Sequence, residues 1–144
     1  MVTASERGLV SLRLGEVATG RDSFAAAAAH EHAQEARRQL LAYFDGRLRE
    51  FNIPVDLRDR TEFQQRVLEA CQMVPYGQTL TYGQLALRAG YPGAARAVGQ
   101  VMAANQVAIV VPCHRIVGRR GMLTGYGYGL DLKRRLLEME GSGA

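Results

Sequence analysis

Between Thr61 and Ala104 the chain is punctuated so often that it can hold only short helices, and this stretch constrains the fold more than any other. Thr61 is placed to cap a helix whose Phe63, Val67, Ala70, Cys71 and Val74 recur at three- and four-residue steps until Pro75 and Gly77 end it. Thr81 is placed to cap a second, shorter helix through Ala89. Gly90-Tyr91-Pro92-Gly93 turns the chain, and a third helix runs from Ala94 to about Ala104. Helix, short glycine-containing turn, helix is the outline of a helix-turn-helix unit.

The flanking segments have other periods. Residues 9–14 place Val10, Leu12 and Leu14 on one side and Ser11 and Arg13 on the other, as in a half-buried strand. Asp22 and Ser23 offer cap oxygens to a long alanine-rich helix ending near Phe44 at Gly46, amphipathic through Ala36, Leu40, Leu41 and Phe44. Residues 45–60 read as a loop, a short strand (Phe51, Ile53, Val55) and a linker, with a lobe boundary near Leu57. The expected division is therefore an α/β lobe over residues 1–57 and a second domain over 58–144, in an α+β fold. After the third helix, the apolar run to Val111 is a strand or extended segment. A glycine-rich loop from Gly118 to Gly129 then precedes a final helix from about Leu130 to Glu140.

A length of 144 residues allows one compact unit or two small lobes, and 47% hydrophobic with 22% charged residues is a globular balance. The longest apolar run, Val107 to Val111, falls far short of the roughly 20 residues a bilayer span needs. Glu6, Arg7, Arg13 and Glu16 interrupt any secretory-type segment, so a cytoplasmic protein without membrane contact is expected. The net charge of +4 favours a polyanionic partner, although so mild an excess fits a protein that binds nothing equally well. Cys71 and Cys113 cannot staple a framework, and neither has zinc-type spacing, so no metal and no cofactor are expected.

A cysteine becomes a strong nucleophile as its thiolate, which needs a neighbouring base or positive field. Cys113 has His114 and Arg115 directly after it, whereas Cys71 shares the apolar stripe of its helix and is assigned to packing. On an extended backbone adjacent side chains point to opposite faces, so His114 would act on Cys113 through a water or after a bend. Burial of Cys113 as a small hydrophobe is the competing reading. Pro112 fixes its own backbone and keeps Val111 out of helical geometry, which helps aim Cys113. In Ala94-Ala95-Arg96-Ala97-Val98-Gly99 one long cation stands among very small side chains. Such a helix can approach a groove closely with Arg96 reaching in, or pack closely with Arg96 solvated.

Four blocks of residues 61–140 agree in order and spacing with one family: Pro75-Tyr76-Gly77-Gln78-Thr79-Leu80-Thr81-Tyr82, Ala94 to Gly99, Val111-Pro112-Cys113-His114-Arg115-Ile116-Val117, and Gly121 to Glu140 with Leu123-Thr124-Gly125-Tyr126 and Gly129-Leu130-Asp131-Leu132-Lys133. The chain resembles the O6-alkylguanine-DNA alkyltransferases. The resemblance implies a small antiparallel-sheet, ribonuclease H-like lobe followed by a mostly helical, winged-helix-like domain. It also implies direct-reversal repair, in which O6-alkylguanine is flipped from duplex DNA and its alkyl group moves irreversibly to Cys113, once per molecule. Flipping is required because the alkyl carbon is out of reach within the duplex.

By the same resemblance His114 relays the thiol proton through a water, and Glu140 orients the histidine. Tyr82 donates to guanine N3, and Asn105 is the hinge between recognition helix and acceptor segment. Arg96 fills the vacated base position, and Ala94, Ala95, Ala97 and Gly99 belong to the recognition helix in the minor groove, which distinguishes base pairs poorly. Met102 and Tyr126 wall the pocket, the carbonyls of Cys113 and Ile116 accept from the exocyclic amine, and the backbone N–H of Gly127 faces O6. The implied partner is double-stranded DNA containing O6-alkylguanine, with no obligate protein partner, and reaction with O4-alkylthymine stays open.

Gln106 and Ala108 depart from the family, standing in a segment usually richer in proline, and some members carry serine where Gly127 stands. Residues Val2 to Leu9 resemble the family's second strand, so the first lobe is expected to be shortened. Three alternatives compete: a lesion sensor without transfer, which Cys113 argues against; a major-groove regulator, which the small side chains of Ala94 to Gly99 fit poorly; and a cysteine hydrolase, which needs an oxyanion site that no residue provides.

Overall fold

The computed structural model describes residues 1–14 and 27–141, and the expected helix cap at Asp22 and Ser23 lies outside them. The fold is α+β, and the chain divides into two compact units. One comprises Met1–Asp59 with Gln106–Val110, the other Arg60–Asn105 with Val111–Ala144.

In the first unit, β1 (Val2–Ser5) and β2 (Gly8–Leu12) form an antiparallel hairpin. The segment Val2 to Leu9 is thus not one strand but a strand, a turn and the start of the next. The register runs Val2 to Leu12 and Thr3 to Ser11, then slips to Ala4 opposite Leu9, which leaves Val10 as the extra residue of a β-bulge. Here the simple alternation fails. The bulge lets both Leu9 and Leu12 bury, while Val10 is only half-buried and β2 ends before Leu14.

Helix α1 (Ala27–Phe44) packs on both strands. Its buried stripe is Ala29, Ala33, Ala36, Gln39 and Tyr43, and the expected apolar positions Leu41 and Phe44 are exposed. Small alanine side chains let the helix lie close to the hairpin, so the apparent amphipathic face loses to the one with better approach. The Gln39 side chain satisfies its buried amide through the Asn52 main chain, accepting from Asn52 N at 2.9 Å.

Residues after the helix run beside β2: Leu9 N–H donates to Pro54 O at 2.8 Å and Asp56 N–H donates to Leu9 O at 2.7 Å. Gly8, at φ +143°, is required there, because a Cβ would stand 2.3 Å from Pro54 O. The expected strand at Phe51 to Val55 shrinks to a single bridge at Val55. Gln106–Val110 completes this unit from far along the sequence. Leu12 N–H donates to Gln106 O at 2.7 Å, and Ala108 N–H donates to Leu12 O at 3.1 Å. The apolar run is therefore a bridge followed by a turn, with Ile109 at φ 70°, rather than a continuous strand.

In the second unit, α2 (Glu62–Gln72) and α3 (Tyr82–Arg88) both start with a capping box, Thr61 with Gln64 and Thr81 with Gln84. Helix α4 (Ala95–Ala103) packs against α3, and α2 packs against both. Val67, Leu68 and Cys71 of α2, Leu85 and Ala86 of α3, and Val98, Val101 and Met102 of α4 are buried in this unit. β3 (Leu80–Thr81) pairs in parallel with β4 (Ile116–Val117), and α5 (Leu130–Met139) starts from Gly129 at φ +97°. Among the described residues no helix is long and apolar enough to cross a membrane.

Candidate active site

Cys113 opens a single turn of 3-10 helix, Cys113–Arg115, that follows Pro112 and leads directly into β4. The backbone is curled rather than extended, so of the two arrangements left open for Cys113 and His114 the chain adopts the bend. Consecutive residues of this turn fan out by about a third of a revolution each. Cys113 lines a cavity of about 270 Å³, while the fully buried His114 and the nearly buried Arg115 point elsewhere in the unit.

The thiol is held by Asn105. One amide nitrogen, Asn105 Nδ2, donates to Val111 O at 3.0 Å and to Cys113 Sγ at 3.2 Å, joining the end of α4 to the turn that carries Cys113. Burial pushes the Cys113 thiol up from its ordinary value; the Asn105 donor, the Lys133 charge and backbone N–H groups pull it back down. Cys71, sealed inside α2's packing, is pushed well above its ordinary value by burial.

His114 Nε2 lies 2.9 Å from Glu140 Oε2. Glu140 also receives Arg115 Nε at 2.8 Å and Arg115 Nη2 at 2.9 Å, so its carboxylate is ionised and can only accept. His114 Nε2 therefore carries the proton, and Nδ1 is left as a buried lone pair that no described residue engages. Burial holds the His114 imidazole below its usual range, against the pull of Glu140, so the ring is a neutral base.

The block from Pro75 to Gly77 braces this pair. Arg115 Nη1 donates to Val74 O at 2.8 Å, and its guanidinium lies 5.7 Å above the Tyr76 ring. Tyr76 Oη donates to Met139 O at 3.2 Å. A Cβ on Gly77, at φ +83°, would come within 3.2 Å of Glu140 O. The turn that ends α2 is thus folded against the end of α5, where Glu140 sits.

Of the expected site residues, Tyr82, Gly99, Met102, Cys113, Tyr126 and Gly127 line the cavity, joined by Ala103 and Gly125. Asn105 touches the thiol from outside the cavity wall, and His114 and Glu140 form the buried pair behind it. Arg96 is exposed on the first turn of α4, Ala95 and Ala97 flank it half-buried, and Ala94 is the N-cap residue without a side-chain cap. Ile116 is fully buried in β4, away from the lining, and its carbonyl accepts from Lys133 Nζ at 2.6 Å. Tyr82 Oη donates to Thr124 O at 3.1 Å. Gly127 has open space where a Cβ would be, so a serine there would meet no clash.

Sequence reasoning missed the Arg115 clamp on Glu140 and the burial of Lys133. A signal existed: Lys133, Leu136, Leu137 and Glu140 fall on one helical stripe, and a lysine and a glutamate on an apolar stripe are costly unless paired.

Comparison with known proteins places these features. Residues 62–142 match the family described as "6-O-methylguanine DNA methyltransferase, DNA binding domain", and residues 1–57 match "6-O-methylguanine DNA methyltransferase, ribonuclease-like domain". A methylated-DNA–protein-cysteine methyltransferase of Mycobacterium bovis is 56% identical over 106 residues, covering 74% of this chain and 64% of that protein. The matched segment thus spans somewhat under two thirds of that relative's length. A crystal structure of Mycobacterium tuberculosis OGT in complex with DNA superposes with a TM-score of 0.82 at 44% identity, covering 98% of this chain and 85% of that one. A structure of S. pombe ATL in complex with DNA covers 56% of this chain and 76% of that one, at 36% identity and a TM-score of 0.51.

Proposed function

The chain belongs to the 6-O-methylguanine DNA methyltransferase family, and from that premise we propose that it repairs O6-alkylguanine in duplex DNA by taking the alkyl group onto Cys113. The observation that carries this reading is a cysteine thiol lining a cavity of about 270 Å³, backed by a neutral, carboxylate-bound histidine. A purine turned out of the stack brings its O6 alkyl carbon to the sulfur. The thiol proton passes through a water to His114 Nδ1, and the imidazolium is stabilised by Glu140. The sulfur–carbon bond forms as the carbon–O6 bond breaks, and the base leaves with the electron pair. A thioether has no leaving group that water can displace, so each molecule reacts once.

Tyr82 is poised to protonate the departing base by exchanging its bond to Thr124 O for one to guanine N3. Ile116 O already holds Lys133, yet a carbonyl has two lone pairs and can accept the exocyclic amine as well. Arg96, exposed on α4, enters the stack from the minor groove.

Incubation with a duplex carrying O6-methylguanine, followed by intact mass measurement, tests the proposal. One methylene equivalent per chain is expected, retained in Cys71→Ala and lost in Cys113→Ala. Binding without mass gain would favour a sensor, and repeated turnover a hydrolase.

A further inference from the structure

The turn that follows β4 holds a local conflict that the fold itself does not explain. Arg119–Gly121 is one short 3-10 turn, and inside it Arg120 sits at φ 58°, ψ 26°, followed by Gly121 at φ 76°. Met122 N–H donates to Arg119 O at 3.2 Å and Gly118 N–H donates to Met122 O at 2.7 Å, so the turn is closed twice. Two successive left-handed residues are typical of a type I′ turn, whose first central position favours glycine, asparagine or aspartate. Arginine is uncommon there, because its Cβ crowds the backbone in the left-handed region.

No contact within the protein offsets this strain. Arg119 and Arg120 are both exposed, and no described residue bonds or pairs with either guanidinium. Elsewhere in this unit exposed arginines face an acid one helical turn away, Arg66 with Glu62 and Arg135 with Asp131. Backbone strain held without an internal partner is characteristic of a functional position.

The place of the turn identifies the partner. Gly118, at its root, lies so close to Thr124 that a Cβ would come within 3.1 Å of Thr124 Cγ2, and Thr124 O holds the Tyr82 hydroxyl. The turn also packs beside β3, which runs straight into α3 at Tyr82. Tyr82 lines the cavity, and a Cβ on Gly99 of α4 would meet its ring at 3.9 Å. The two cations are thus carried by a rigid turn anchored to the cavity wall.

We propose that Arg119 and Arg120 bind backbone phosphates of duplex DNA, as a contact separate from α4, while a flipped base occupies the cavity. This deepens the repair reading above and rests on duplex DNA being the substrate. The planar guanidinium grips a phosphate by two parallel bonds and stays charged. Phosphates carry no sequence, so the contact fixes the protein on the duplex without choosing bases. A turn that is already fixed loses little freedom on binding.

The test follows binding of an undamaged duplex by fluorescence anisotropy between about 50 and about 300 mM salt. It compares the wild-type chain with Arg119→Ala, Arg120→Asn and Arg38→Ala. Arg38, exposed on α1 and paired with Glu35, controls for the loss of one positive charge elsewhere. Each turn variant should bind about fivefold to tenfold more weakly at about 0.1 M salt. Each should also lower the slope of log affinity against log salt by about one, while Arg38→Ala keeps the wild-type slope. Arg120→Asn should in addition melt at a higher temperature than wild type, because asparagine suits the left-handed position.

Wild-type slopes in both turn variants, or an equal drop in Arg38→Ala, would overturn the proposal. So would an Arg120→Asn protein that melts below wild type, since the arginine would then be serving the fold. Failure of the repair reading appears separately, as wild-type protein that binds the duplex with the expected slope yet gains no mass from O6-methylguanine DNA.

Discussion

Glu140 shows how one side chain can serve two partners. Its two oxygens accept from His114 and from Arg115, and all three groups lie in the interior. Removing one partner of such a set leaves an uncompensated buried charge, which costs about 3–5 kcal/mol. Glu140→Gln should therefore lower unfolding free energy in urea by about that amount, through the stranded Arg115. It should also slow transfer from an O6-methylguanine duplex by about a hundredfold or more, because the imidazolium loses its carboxylate and a Gln amide can reverse the ring tautomer. A folded Glu140→Gln protein that reacts at the wild-type rate would remove the histidine from the proposed proton path. The sequence placed Cys113, His114 and Glu140 by motif, but only the coordinates show that Arg115 bonds both carboxylate oxygens and shares Oε2 with His114.

At the scale of elements, the cap residues were legible because capping is local. Thr61 and Thr81 each sit three residues before a glutamine, and both capping boxes form. The strand and helix faces in the first unit were not legible. A bulge at Val10 and a close-packed alanine stripe on α1 are decided by what lies opposite, which no window of sequence contains. Helix α4 has a cation on its exposed side and buried Val98, Val101 and Met102 on the other. Arg96→Ala should accordingly leave stability almost unchanged, within about 0.5 kcal/mol, since a solvated side chain is lost. Repair of duplex DNA should slow sharply while reaction with free alkylated base is largely kept. Equal loss on the two substrates would exclude a role in holding the flipped state.

For the molecule as a whole, buried titratable groups set the response to acid. His114 is held below its ordinary value, so the unfolded chain binds its proton more readily than the folded one. Stability is full above the unfolded histidine value, near 6.5, and declines as pH falls toward the lower folded value. Asp56, whose carboxyl is lowered mainly by Arg58 with help from Ser5, adds a second decline below about its unfolded value of 3.8. The melting temperature should thus be nearly flat from pH 7 upward to mild alkalinity, begin to fall as pH drops below 6.5, and fall further below 3.8. A melting temperature that rises on acidification from pH 7 to 5 would contradict the neutral state assigned to His114.

What the sequence determined by itself was local or carried by motif: the capped helices, the helix-turn-helix outline, the adjacent Cys113 and His114, and the family. Caps and turns depend on a few neighbouring residues, and a motif preserves the chemistry of a site even when its partners are far apart in the chain. Tertiary structure alone decided which faces are buried, that Gln106–Val110 completes the first unit, and that Lys133 and Arg115 are interior charges. Those outcomes follow from desolvation and packing against groups dozens of residues away, and a side chain's charge acquires its meaning only when those groups surround it.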